Sequence, residues 1–474
     1  MPMKKENLKL EKKDLTAADR LDAPNGNKMG TLPVGRLLMT MSLPAMFSML
    51  INALYNVIDS IFVAMIGESA LTAVTLVFPV QMLMIAVSVG TGVGLSSLIS
   101  RRLGEKKQKE ADSVANHGLI LFVVSAALFA LFGLFFSRPF INAFTSDSVV
   151  AGFGYSYCFI VTVFSVFVFI QIDAEKTMQA TGNMLFPMIG NLVGAVSNII
   201  LDPIFIFGLF GVPRMEVAGA AIATVIGQGL GMALNLTFLL AFKHEVNISL
   251  RSFRFSWGTV RSIYAVGLPA MVMQAIGSVM LVALNGILIT FSQAAVAVFG
   301  VYFKLQSFIF MPVFGLNQGA MPIMGYNFGA RNKDRLMRSF RLSLNIALVI
   351  MALGTLLFQV FAREFMMMFN ASPEMLSIGV AALRAISLCF IPAAVGIICA
   401  TLFQAIGHGV LSLIVSLLRQ LFLILPLAWL LSHYFGLNAL WYAFPMAEVF
   451  ALCASILFFR RIYRRELKDL GTTL

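Results

Sequence analysis

Leu43-Pro44-Ala45-Met46 returns as Leu268-Pro269-Ala270-Met271, and this offset of 225 residues organises the whole chain. Moving outward in the same register, Ala70 matches Ala295, Phe78 matches Phe303 and Gln81 matches Gln306. Gly90, Gly94 and Gly104 match Gly315, Gly319 and Gly329. Gln179-Ala180 and Gly182 match Gln404-Ala405 and Gly407, and Phe210-Gly211 matches Phe435-Gly436. The register runs without a gap from Leu43 to Gly211 against Leu268 to Gly436, so the chain is a duplication.

Composition says what is duplicated. Of 474 residues, 59% are hydrophobic and 12% charged, against about 25% charged in soluble globular chains. Such a chain cannot keep a water-facing surface wet, which excludes soluble enzymes, nucleic-acid binders and disordered scaffolds. Continuous apolar runs predict twelve transmembrane helices at approximately 37–66, 71–99, 114–136, 150–172, 185–210, 217–242, 260–290, 294–326, 340–362, 377–402, 410–432 and 439–459. Met1–Lys28 has no apolar core of the signal-peptide kind.

The formal charge of +12 sits mainly in alternate loops. Arg101, Arg102, Lys106, Lys107 and Lys109 follow span two; Lys243, Arg251, Arg254 and Arg261 follow span six. Arg331, Lys333, Arg335, Arg338 and Arg341 follow span eight, and Arg460, Arg461, Arg464, Arg465 and Lys468 close the chain. The other loops hold only Arg138, Arg214 and Arg363. This bias predicts a multi-pass protein of the cell (plasma) membrane with both termini cytoplasmic. Six spans per repeat return the chain to its starting side, so the repeats are parallel. Facing repeats with a substrate between them are the usual build of a secondary transporter. The expected organisation is a cytoplasmic N-terminal segment (1–36), an N-lobe of spans 1–6 (37–242), a cytoplasmic inter-lobe loop (243–259), a C-lobe of spans 7–12 (260–459) and a cytoplasmic tail (460–474). The expected fold class is therefore an all-α membrane protein with two parallel six-helix repeats around a central cavity.

Ionisable groups inside spans are costly and mark function. On these boundaries the embedded acids are Asp59, Asp202 and Glu448, and the embedded bases Lys304, Arg384 and Arg419. Asp59 and Asp202 each lie about 12 Å below the outer end of their span, and Thr224 lies about 10 Å below the start of span six. Asn198 shares a helix face with Asp202, and Asn56 with Asp59. Pro203 removes its own amide and frees the Ile199 carbonyl. Two carboxylates, two carboxamides and a hydroxyl in one layer suit a hard cation such as Na⁺, or a proton, since close carboxylates cannot both ionise. The second repeat has Leu284 and Leu427 at the two Asp positions, with Asn285 the nearest polar residue in span seven. Cation coupling is therefore expected in the first repeat. Glu448 either lines the central cavity or pairs with a base; Lys304 and Arg384 are either cavity charges or structural partners.

Several patterns carry no chemistry. Gly90, Gly92 and Gly94 lie in an apolar span, where small residues serve close helix packing. No P-loop occurs. The four His are dispersed at span ends, so no metal cluster beyond a Na⁺ site is expected. Cys158, Cys389, Cys399 and Cys453 read as buried thiols.

Four motifs carry a family resemblance. Asn56-Val57-Ile58-Asp59 with Phe62-Val63-Ala64, Gln179-Ala180-Thr181-Gly182-Asn183, Asn198-Ile199-Ile200-Leu201-Asp202-Pro203 and Ala218-Gly219-Ala220-Ala221-Ile222-Ala223-Thr224 resemble signatures of the multidrug and toxic compound extrusion (MATE) family, bacterial branch. The resemblance covers the chain after Gly30. It implies a cation-coupled exporter of organic cations and other amphipathic toxins, with the cation site at Asp59, Asn198, Asp202 and Thr224. Some members carry acids in spans seven and ten, where this chain has Asn285 and Arg384. The expectation is a multidrug antiporter driven by H⁺ or Na⁺. It has no enzymatic activity, cofactor or nucleic-acid partner, takes small amphipathic or cationic substrates and works as a monomer in the lipid bilayer. The alternatives are a lipid-precursor flippase of related two-lobe plan, which would need cavity cations for phosphates, and a non-transporting membrane scaffold.

Overall fold

The computed structural model describes residues 27–242, 244–249, 251, 253–369 and 371–471. Lys243 and residues 1–26 of the expected N-terminal segment lie outside the described residues. The described residues form helices and their connections. After a short α1 (Lys28–Thr31), the first half comprises α2 (Val34–Ile66), α3 (Glu68–Gly104), α4 (Gln108–Asn142), α5 (Ser148–Val163), α6 (Val166–Ala180), α7 (Leu185–Phe207) and α8 (Glu216–Ala241). The second half comprises α9 (Trp257–Leu288), α10 (Gln293–Gly329), α11 (Lys333–Val360), α12 (Ala362–Met367), α13 (Pro373–Ser387), α14 (Phe390–Ala405), α15 (Gly409–Leu417), α16 (Leu425–Phe435), α17 (Leu437–Leu440) and α18 (Ala443–Ile462).

Ten helices or continuous helical runs are long and apolar enough to cross a bilayer. The pairs α5–α6 and α13–α14, bent by 43° and 47°, bring the total to twelve spans when each pair counts once. The two bends fall at equivalent places in the repeat, after Val163 and after Ser387. Polar side chains set where helices begin. Asp147 accepts from the amides of Val149 and Val150, and Ser256, Ser292, Asn332 and Ser372 do the same at the starts of α9, α10, α11 and α13.

One span ends later than its apolar run. The hydropathy boundary near residue 172 leaves Asp173, Glu175 and Lys176 in a loop, whereas α6 continues to Ala180 and buries all three. Their charges are hidden inside the first half rather than wetted, which a window of mean hydropathy cannot register. The embedded ionisable set is thus larger than the six named from sequence. Another departure is at Cys453, which is exposed while the other three thiols are buried.

The two halves meet at the end of the bundle that carries the basic loops. A Cβ on Gly90 would fall 2.8 Å from the Met271 amide nitrogen, and one on Gly94 2.2 Å from the Ile263 carbonyl oxygen, so α3 and α9 touch backbone to backbone. Gly315 and Gly319 of α10 press on Met46 and Ser42 of α2 in the same way. Ser97 Oγ donates to the Gln404 carbonyl at 2.6 Å, and Arg335 Nη2 donates to the carbonyls of Met29 (3.0 Å) and Leu32 (2.6 Å). Among the described residues, the hydrogen bonds between the two halves lie in this basic half of the bundle. Toward the opposite end α2 is less covered: beyond Ala53, Val63 is its one buried residue.

Candidate functional site: an embedded carboxylate pair in the first half

The site is built on a close backbone contact between two helices of the first half. Gly194 of α7 and Gly227 of α8 face each other so closely that a Cβ on Gly227 would lie 2.7 Å from the Gly194 carbonyl oxygen. With no side chain between them, the backbones approach and the polar residues one turn outward come into bonding range. Asn198, buried at 2% exposure, takes the central place. With the carboxamide turned so that its oxygen faces Thr224, the orientation that satisfies both ends, the nitrogen donates to Asp202 Oδ2 at 3.0 Å and the oxygen accepts from Thr224 Oγ1 at 3.2 Å and from the Thr224 amide at 3.0 Å.

Asp59 of α2 completes the site. Its carboxyl lies within hydrogen-bonding reach of the Asp202 carboxyl, while one of its oxygens, Oδ1, is buried with no partner. Tyr55, one turn earlier on α2, reaches Thr224. Two neighbouring carboxylates, Asp202 buried and Asp59 half-buried, repel, so a proton or a small cation between them offsets the charge. The oxygens of Asp59, Asp202, Asn198 and Thr224 are the donor set that a proton or Na⁺ needs. Asn56 stands apart: it is exposed, and its Nδ2 donates to the Asn52 carbonyl at 2.8 Å.

Among the described residues, the second half has no such pair. Leu284 is buried in the core at the position of Asp59. Glu448, 4% exposed, pairs with Arg419 Nη1 at 3.3 Å; Arg419 is presented by a π-helical stretch, Leu418–Ile424. Glu448 thus has its base partner inside the second half. Arg384 Nε donates to the Gln359 carbonyl at 3.1 Å, tying α13 to α11. Asn285 is half-buried and makes no side-chain hydrogen bond among the described residues. Lys304 is exposed, and no hydrogen-bond or ion-pair partner is found for it among the described residues.

The sequence reading missed a second polar cluster nearer the basic end. Lys176 Nζ lies 3.3 Å from Glu175 Oε1 and donates to Gln179 Oε1 at 2.9 Å and, across the halves, to Gln318 Oε1 at 3.0 Å. Glu175 Oε2 accepts from Asn191 Nδ2 at 3.0 Å, and Asn191 also reaches Ser48 and Gln171. The Lys176 stem lies across Gly92, where a Cβ would meet Cγ at 2.6 Å. Asn191, Asn198 and Asp202 fall on one face of α7, so the two clusters are the ends of one polar stripe about 16 Å long. The glycine at position 92 and the acids just past the apolar run were the available signals.

An all-helical bundle of two parallel six-span repeats, closed at one end and holding an embedded carboxylate pair, defines a membrane transporter. Residues 44–204 and 269–430 match the model of the MatE family, and the chain belongs to that family. It is a transporter and not an enzyme. Among curated relatives, the FAD transporter of Shewanella oneidensis is 28% identical over 422 residues, covering 88% of this chain and 92% of its own. The multidrug export protein MepA of Staphylococcus haemolyticus is 25% identical over 425 residues, covering 90% and 92%. Among solved structures, a multidrug-resistance MATE transporter in an outward-facing conformation superposes with a TM-score of 0.88 at 26% identity, covering 95% of this chain and 99% of that one.

Proposed function

We propose that the protein is a secondary exporter that moves small amphipathic compounds, organic cations among them, out of the cell against H⁺ or Na⁺ by alternating access. The observation that carries the reading is the contact of Asp59 with Asp202, completed by Asn198 and Thr224 and without a counterpart among the described residues of the second half. A cation that binds there can drive export only if it favours one arrangement of the halves over another. The polar stripe along α7 links that site to the residues that join the halves. In this reading 37–242 and 260–459 are the two lobes, joined by the cytoplasmic loop 243–259, and both termini face the cytoplasm, as the basic loops direct. The protein acts in the plasma membrane, and one chain contains both lobes and the whole site.

The flippase alternative relies on several cavity cations. The internal bonds of Arg384 and Arg419 weaken it, since they leave Lys304 alone. The names of the relatives span multidrug compounds and FAD, so they favour export without choosing a substrate. The test is dye efflux from proteoliposomes under separately imposed H⁺ and Na⁺ gradients. Accumulation driven by one gradient and abolished by its collapse supports the antiporter; transport indifferent to both contradicts it.

A further inference from the structure

The end of the bundle that carries the basic loops also holds a cleft, well away from the carboxylate pair. It measures about 600 Å³ and lies between the start of α11 and the π-helical turn that follows α18, Tyr463–Leu467. Lys333, Asp334, Arg338, Arg341 and Asn345 line it from α11, and Tyr463 lines it from the turn.

The charges in the cleft do not cancel. Asp334 sits in the first turn of α11, where a carboxylate offsets the positive end of the helix dipole. Lys333 is fixed in place: its Nζ donates to the Lys468 carbonyl at 2.7 Å and lies 5.5 Å from the centre of the Tyr463 ring. Arg338 and Arg341 are exposed and make no hydrogen bond or ion pair among the described residues. Arg335, one turn before Arg338, shows the contrast, since its guanidinium is engaged by the carbonyls of Met29 and Leu32.

One helix face connects these arginines to the apolar surface of the span. Arg338, Arg341, Asn345, Val349 and Leu356 follow one another at intervals of three, four, four and seven residues. No proline interrupts α11, so the five positions share a face. All five are exposed. From Arg341 the face runs about 22 Å along the span to Leu356. A ligand that answers both parts of this surface has an anionic head and apolar chains.

We propose that the cleft binds the headgroup phosphate of an anionic phospholipid, drawn from the leaflet on the side of the basic loops. Arg338 and Arg341 hold the phosphate oxygens as forked donors, and Val349 and Leu356 lie along the acyl chains. The site is separate from the carboxylate pair and does not depend on the exporter reading.

The test is native mass spectrometry of the full-length, delipidated protein in detergent. It is titrated with phosphatidylglycerol and, as the zwitterionic control, with phosphatidylcholine of the same acyl chains. Wild type should bind phosphatidylglycerol more tightly. R338Q/R341Q should weaken that binding by about tenfold or more and leave phosphatidylcholine binding unchanged. R341Q alone should show a smaller loss in the same direction. K106Q/K109Q, which removes two exposed charges from the same end of the first half, should bind as wild type does. Inorganic phosphate should fail to displace the lipid. Equal affinity of wild type for the two lipids overturns the proposal, as does undiminished phosphatidylglycerol binding by R338Q/R341Q. An equal loss in K106Q/K109Q reduces the effect to general surface charge, and displacement by inorganic phosphate makes the cleft a soluble-phosphate site; either result also overturns it.

Discussion

Gly194 and Gly227 meet backbone to backbone, and that contact lets Asn198 bond Thr224 across α7 and α8. A valine at position 227 would have to push the helices apart, at a cost of about 1–3 kcal/mol for forced overpacking. Gly227→Val should lower the thermal unfolding midpoint in detergent and abolish gradient-driven efflux, while Gly229→Ala, whose Cβ would meet Phe167 only at 3.7 Å, should change neither. Equal behaviour of the two variants would show that this helix contact does not build the site.

Lys176 and Gln318 form a side-chain bond between the halves. Lys176→Met keeps the stem over Gly92 and leaves Glu175 and Gln318 short of a buried partner, at a cost of about 1–3 kcal/mol. That cost is borne by the arrangement closed at the basic end. Spin labels on Gln108 and Asn332 should therefore report a larger population of separated basic ends in the variant. An unchanged distance distribution would confine Lys176 to the stability of the first half.

The contrast between the two polar clusters shows how far the sequence was legible. The duplication, the twelve spans and the unequal repeats were readable because each leaves a periodic or pairwise mark: Leu43-Pro44 against Leu268-Pro269, Asp202 against Leu427. Glu175 and Lys176 were not, because hydropathy measures the water-liking of a residue and not whether the fold hides it. Besides its local partners Glu175 and Gln179, Lys176 bonds Gln318, 142 positions away on the other half, a pairing no local pattern encodes. Nor could spacing choose the partner of Glu448: Arg419 reaches it from a π-helical turn, whose altered register departs from regular helical spacing. Asn56, placed beside Asp59 by spacing alone, is exposed and bonds back to the Asn52 carbonyl of its own helix.

Glu245, in the connection between the halves, accepts a hydrogen bond from Asn27. Burial there pushes its carboxyl up to about 7, with Asn27 and Lys28 opposing the rise. A carboxyl that binds its proton more tightly folded than unfolded contributes stability at low pH that is lost as pH rises from its ordinary range through about 7. The unfolding midpoint of wild type should therefore fall relative to Glu245→Gln between pH 5 and pH 8, values near the ordinary and raised carboxyl ranges. Parallel pH curves for the two proteins would place Glu245 in water.

The central claim is that one cation site, in the first half, drives transport. Asp59→Asn and Asp202→Asn keep size and remove charge, whereas Glu448→Gln disturbs only an internal pair of the second half. The direct measurement is efflux by each variant in vesicles under an imposed H⁺ or Na⁺ gradient, with substrate binding in detergent measured alongside. The account predicts that both Asp variants bind substrate but show no gradient-driven efflux, while Glu448→Gln remains coupled. Wild-type efflux by Asp202→Asn together with an uncoupled Glu448→Gln would move the driving site to the second half and contradict it.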